Sequence, residues 1–223
     1  MDLKVALILT SCLISQGRCL MCHNCLPDDT GFCHDVQGPC PEECASVRVA
    51  SYIDGRKQGV MNLKTCSQSD MCIVGSINFG TSRVKVENTC CSTHLCNGKT
   101  PPESREDISN GNRCYTCRNG DCSSTVECLG DEDRCVTSIA TDEEGRSTGI
   151  QKGCASMSIC QQRDSSSLFL ADLADQLICC EGQLCNDGTV ATTNHNAGNL
   201  AHLTRSNRHI LLAMVAVSVY GFQ

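Results

Sequence analysis

The chain has 223 residues, of which 22 are cysteine, three tyrosine, four phenylalanine and none tryptophan, with a formal charge of −7. So high a cysteine share belongs to a disulfide scaffold in an oxidising compartment and argues against an ordinary cytosolic enzyme. The acidic balance and the scarcity of aromatic rings argue against nucleic acid, which needs a basic stripe for phosphates and stacking platforms for bases.

At the N-terminus Lys4 precedes an apolar run at 5–14, followed by Ser15, Gln16 and Gly17. This is the layout of a secretory signal peptide, whose apolar stretch is too short to span a bilayer. Cleavage after Gly17 or after Cys19 suits the small-residue rule. Removing both Cys12 and Cys19 leaves an even set of thiols, which favours a signal peptide at 1–19 and a mature start at Leu20.

The remaining cysteines fall at 22, 25, 33, 40, 44, 66, 72, 90, 91 and 96, and then at 114, 117, 122, 128, 135, 154, 160, 179, 180 and 185. This is one ten-cysteine unit written twice. Each copy opens with C-x2-C, carries a later C-x5-C and closes with CC-x4-CN, as CCSTHLCN and CCEGQLCN. The repeat sets the domain count: a first module at 20–98 and a second at 113–187. Between them, 99–112 (KTPPESREDISNGN) has the composition of a linker. Modules this small cannot bury enough apolar surface to offset chain entropy, so each bridge is expected to contribute about 2–4 kcal/mol. The adjacent pairs Cys90/Cys91 and Cys179/Cys180 are not expected to bond internally, because a bridge between neighbours is strained. Spacing alone leaves the connectivity open.

Within the first module, 46–53 alternates apolar and polar residues, Asp54-Gly55 supplies turn chemistry, and 60–64 resumes an extended pattern. A second hairpin is expected from 74–79 and 83–88 across Gly80. The second module repeats the plan with 136–140, a turn at 142–145, and 147–151. At 167–178 apolar residues are too dense to choose helix or strand.

Beyond a stalk at 188–196 come Asn196, Ala197 and Gly198, a polar spacer, and an apolar run at 210–222. As a helix that run is about 20 Å long against a hydrocarbon core of about 30 Å. Small triplet, polar spacer and apolar tail form the layout of a glycosylphosphatidylinositol (GPI) signal, with Asn196 as the attachment residue and 197–223 removed as a propeptide. The expected membrane partner is therefore the outer leaflet, through that lipid.

The cysteine pattern resembles the lymphocyte antigen-6 and urokinase receptor family, on both C-x2-C openings, both CC-x4-CN closings and the string CLGDEDRCV. The resemblance covers 22–97 and 114–186. It implies an all-β, small, disulfide-rich fold of two tandem three-finger (snake-toxin-like) domains. It also implies the bridges Cys22–Cys44, Cys25–Cys33, Cys40–Cys66, Cys72–Cys90 and Cys91–Cys96. In the second domain it implies Cys114–Cys135, Cys117–Cys122, Cys128–Cys154, Cys160–Cys179 and Cys180–Cys185. Asn97 and Asn186 match the family's closing asparagine. The urokinase receptor has three such domains, the first lacking one bridge; here there are two ten-cysteine units. The TC-x5-C-x-VG stretch at 65–75 is similar to secreted gamma-type phospholipase inhibitors, which makes a soluble inhibitor the competing class.

The C-x2-C pairs would suit zinc in a reduced compartment, but the export signal and even count favour bridges. No Ser or Cys sits in a nucleophile motif, and the second module has no histidine, so no catalytic, metal or cofactor site is expected. The expected activity is recognition of an extracellular protein through the hairpin tips and the face between the modules. Residues 20–98 carry eight acids and six bases, whereas 99–196 carry sixteen acids and eight bases. Asp131, Glu132, Asp133, Asp142, Glu143 and Glu144 are candidates for an acidic face that steers a basic partner. Leu168 and Phe169, in the third finger of the second module, are either core or an apolar contact patch for a partner.

Overall fold

The computed structural model describes residues 20–28, 31–68, 72–103, 108–141, 147–161 and 176–188. Alternating apolar and polar residues between turn signals produce strands throughout, and each finger is a hairpin rooted in a cysteine cluster. In the first module β1 (Leu20–Asn24) pairs with β2 (Val36–Cys40), β3 (Glu43–Ile53) with β4 (Arg56–Ser67), and β5 (Gly75–Asn78) with β6 (Ser82–Cys91). In the second, β7 (Ser109–Arg118) pairs with β8 (Asp121–Leu129), and β9 (Arg134–Thr141) lies between β10 (Ser147–Ala155) and β11 (Gln176–Glu181). One helical turn, α1 (Met157–Cys160), follows β10. This is the expected all-β, disulfide-rich architecture. The turn at 142–145 lies outside the described residues, and the 167–178 stretch enters them only at β11, as strand.

The Asp54-Gly55 turn has φ of 46° and 74°, the two positive values that a tight two-residue hairpin requires. It pairs Ile53 with Arg56, and a one-residue shift in the ladder between Ser51 and Tyr52 then sets the register in which odd-numbered Ala45, Val47 and Val49 of β3 meet Leu63, Met61 and Val86 in one apolar layer. Ser46 and Arg48 point to the opposite face. There Ser46 Oγ donates to the Lys99 carbonyl at 2.7 Å and Arg48 reaches the Glu103 carboxylate at 2.9 Å. Lys57 pairs with Glu103 as well. The first residues of the linker thus lie against the back of this finger, and its last ones, from Ser109, already belong to β7.

The bridges join Cys22–Cys44, Cys25–Cys33, Cys40–Cys66, Cys72–Cys90 and Cys91–Cys96 in one module. In the other they join Cys114–Cys135, Cys117–Cys122, Cys128–Cys154, Cys160–Cys179 and Cys180–Cys185. Sulfur fills the two bases: Cys22, Cys40 and Cys44 are fully buried in one cluster, and Cys114, Cys128, Cys135 and Cys154 form its counterpart.

The two modules share a sheet. Cys154 and Ala155 of β10 pair with Asn78 and Ile77 of β5, giving seven antiparallel strands in the order β11-β9-β10-β5-β6-β3-β4. An apolar cluster straddles the join, with Ile73, Ile77 and Phe79 from the first module against Val136, Ala155 and Ile159 from the second.

Candidate binding surface

Two asparagines hold the fingers at their bases. Asn97 Oδ1 accepts from the His23 N–H at 2.9 Å, while its Nδ2 donates to the carbonyls of His23 and Ala45, each at 2.9 Å. Asn186 repeats the pattern, accepting from the Tyr115 N–H at 2.9 Å and donating to the carbonyls of Tyr115 and Val136 at 3.1 and 3.0 Å. Each amide thereby bolts the first finger to the second. Both sit just after a left-handed leucine, Leu95 or Leu184, whose N–H closes onto the first strand of its module.

Along β5 the odd positions face the shared apolar cluster, and the even ones carry polar groups. Ser76 and Asn78 meet a carboxylate from the second module: Glu132 accepts from Ser76 Oγ at 2.7 Å, Asn78 Nδ2 at 3.1 Å, Arg83 Nε at 2.7 Å and its own module's Leu129 N–H at 2.8 Å. Glu132 is fully buried, and the Arg83 side chain is 10% exposed, with its guanidinium over the Tyr52 ring. Around this pair, Ser156 exchanges two hydrogen bonds with the backbone of Ser76, and Thr116 Oγ1 donates to the Phe79 carbonyl at 2.6 Å.

This burial removes Glu132 from the expected acidic face of Asp131, Glu132, Asp133, Asp142, Glu143 and Glu144. Asp131 and Asp133 are exposed, but Glu132 points inward and is consumed by the junction. Asp133 also has structural work, its Oδ1 accepting from the Met157 N–H at 2.9 Å. Asp142, Glu143, Glu144, Leu168, Phe169 and Asn196 lie outside the described residues. Nothing in the local string GDEDR distinguishes the middle acid from its neighbours. The signal for it stood elsewhere, in Ser76, Asn78 and Arg83 alternating with apolar residues in a hairpin.

A second charged group ties the first finger to β4. Asp35 takes His23 Nδ1 at 2.8 Å on one oxygen and Lys64 Nζ at 2.7 Å on the other. The hydrogen bond from Lys64 is the chief cause that holds the Asp35 carboxyl below the usual carboxylate range; partial desolvation opposes it and His23 adds to it. The sulfurs of Cys114, Cys128 and Cys154 lie within 4.8 Å of one another, but each is in a bridge and offers no thiolate to a metal. What the arrangement offers chemically is a stiff platform of hairpins, with Leu26, Phe32, Val36, Val60 and Ile150 among its exposed apolar side chains.

Such a platform, two knotted bases with hairpin fingers and a shared sheet, defines a tandem of three-finger domains. The family profile described as "u-PAR/Ly-6 domain" matches residues 18–99, and that described as "Snake toxin and toxin-like protein" matches residues 113–186. The chain belongs to the u-PAR/Ly-6 family and carries two of its domains in tandem. It is similar to the urokinase plasminogen activator surface receptor of Aotus trivirgatus, 26% identical over 187 residues, covering 77% of this chain and 55% of that receptor. The receptor of that name from Bos taurus is likewise 26% identical, over 78% of this chain and 56% of the receptor. Ly6/PLAUR domain-containing protein 6B of Mus musculus is 33% identical over 102 residues, 43% of this chain and 58% of that protein. The chain thus spans little more than half the length of these relatives.

Proposed function

We propose that the chain is a non-enzymatic, extracellular protein-binding module of the urokinase-receptor kind, held on the outer leaflet by a GPI lipid on Asn196. The observation that carries this reading is the junction. Two three-finger domains share one sheet and one buried ion pair, so both sets of fingers are held in fixed relation before any partner arrives. Binding by a preorganised surface loses little ordering entropy, which is what a recognition scaffold needs. The similarity to proteins named surface receptors, running over both domains, supports the same reading. So does the tail at 197–223, where a small triplet, a polar spacer and an apolar run follow one another. Among the described residues no helix is long and apolar enough to cross a membrane.

The test is expression of the full chain in animal cells, followed by phosphatidylinositol-specific phospholipase C. Release of surface protein into the medium on treatment is the expected result. Protein already free in the medium before treatment overturns the anchor and favours a secreted inhibitor.

A further inference from the structure

The first finger has two unlike faces. Its ladder pairs Leu20 with Cys40 through to Asn24 with Val36, and the same register reaches the tip, where the Asp28 N–H donates to the Phe32 carbonyl at 2.8 Å. Side chains two apart along a strand share a face, as do directly opposed pairs, so the even-numbered residues from 20 to 40 line one side. At the base that side enters the cysteine knot as Leu20, Cys22 and Cys40, all buried. Past Asn24 it emerges uncovered, with Leu26 46%, Phe32 60% and Val36 58% exposed, and His34 packed edge-on against the Phe32 ring at 5.1 Å. The other side is occupied by packing against β4, through Asp35 and its partners His23 and Lys64, the buried Pro27, and the bridge between Cys25 and Lys64.

Exposed apolar residues standing singly are ordinary; three on one face of one short hairpin are not. Elsewhere among the described residues the exposed large apolar side chains are spread along the chain: Val60 on β4, Val74 just before β5, Ile108 just before β7, Ile150 on β10, Met157 in α1 and Ile178 on β11. The patch carries an acid of its own in Asp28, an exposed residue of the same face whose Oδ1 accepts from the Phe32 N–H at 3.1 Å. From Leu20 to Val47 the sequence holds Asp28, Asp29, Asp35, Glu42 and Glu43 and neither Lys nor Arg. The nearby Lys64 is engaged by Asp35.

We propose that Leu26, Phe32 and Val36 form a docking face for a cationic apolar segment of an extracellular protein, one in which an aromatic or aliphatic side chain is flanked by Lys or Arg. This rests on the protein-binding reading above and gives it a site and a partner chemistry. Charge selects that occupant over the alternatives. A second copy would bring the same acidic finger, and an anionic membrane surface would be repelled, whereas basic flanks meet complementary charge around a contact that excludes water.

The experiment pans short random peptides displayed on phage against the full-length chain, and compares binding to the intact protein with binding to Phe32→Ser, Leu26→Ser and Phe32→Tyr. Both sites are at the surface of the finger, and an unchanged melting temperature certifies each of the three variants. The expected result is a set of enriched peptides in which Lys or Arg flanks an apolar residue. These should bind Phe32→Ser and Leu26→Ser at least about tenfold more weakly, keep their affinity for Phe32→Tyr, and weaken as salt is raised. Peptides that bind the serine variants as well as the intact chain overturn this site while leaving the protein-binding reading standing. Enriched peptides without basic residues overturn the partner chemistry. Failure to enrich any peptide counts against both readings. Flotation of the chain with phosphatidylcholine vesicles, lost on Phe32→Ser, overturns the proposal in favour of a lipid-facing finger.

Discussion

Glu132 accepts hydrogen bonds from four donors, two of them side chains of β5 and one the guanidinium of Arg83. A carboxylate with no solvent exposure persists only when its lone pairs are met in this way, and the arginine it neutralises is itself nearly buried. Removing one partner therefore leaves an unpaired buried charge. Glu132→Ala is expected to cost about 3–5 kcal/mol. Asp131→Asn, one residue away on the surface, should stay within about 0.5 kcal/mol. Thermal unfolding of both variants checks this; equal effects would show that the junction does not depend on the pair. The Asp35 group makes a different claim, about pH. Its folded pKa lies below the ordinary 3.8, held there chiefly by Lys64, so its contribution is complete above that value and is lost as pH falls through the lower, folded one. Asp35→Asn should lower the melting temperature at neutral pH and narrow its gap to the native chain as pH falls below the ordinary carboxylate range. A gap that is constant with pH would rule out the carboxylate as the cause. At this scale the sequence was a poor guide, because burial of one acid in a run of three is decided by a strand some fifty residues upstream.

Elements were more legible where the cause is local. Asp54-Gly55 announces its hairpin because both turn residues need positive φ, and the same rule applied to Asn119-Gly120, at φ of 51° and 82°, finds the β7–β8 turn. The pairing of β10 with β5 has no such local cause, since it depends on two backbones approaching across the modules. Its trace in the sequence is a pair of glycines: a Cβ at Gly153 would fall on the Asn78 carbonyl oxygen and crowd Phe79 Cα at 3.0 Å, and one at Gly75 would meet Ser158 Oγ at 2.6 Å and Ser156 Cβ at 2.9 Å. Gly153 has no positive φ to explain it, so close approach is the reason for glycine there. Gly153→Ala must push β10 away from β5. Hydrogen exchange should then show lost protection in β5 and at the end of β10, while β3 and β4 keep theirs. Unchanged protection in β5 would mean that the sheet is not continuous in solution.

For the whole molecule the question is whether two modules, each cross-linked by five bridges, behave as one. Two repeated cysteine units joined by a stretch of linker composition leave that open. The interface decides it. Ile73, Ile77 and Phe79 lose their cover if the second module is removed, and Val136, Ala155 and Ile159 lose theirs if the first is. Returning each large side chain of this set to water costs about 1.5–3 kcal/mol, and Arg83 and Glu132 would part as well. Bridges act mainly on the unfolded state of their own module and cannot replace that contact. The intact chain should therefore unfold in one calorimetric transition, and residues 20–103 produced alone should melt lower and bind a dye for exposed apolar surface. Two transitions in the intact chain, at the temperatures of the separately produced modules, would show that the interface adds nothing. The fingers of the two domains would then move independently, and a partner would have to meet the entropy of aligning them.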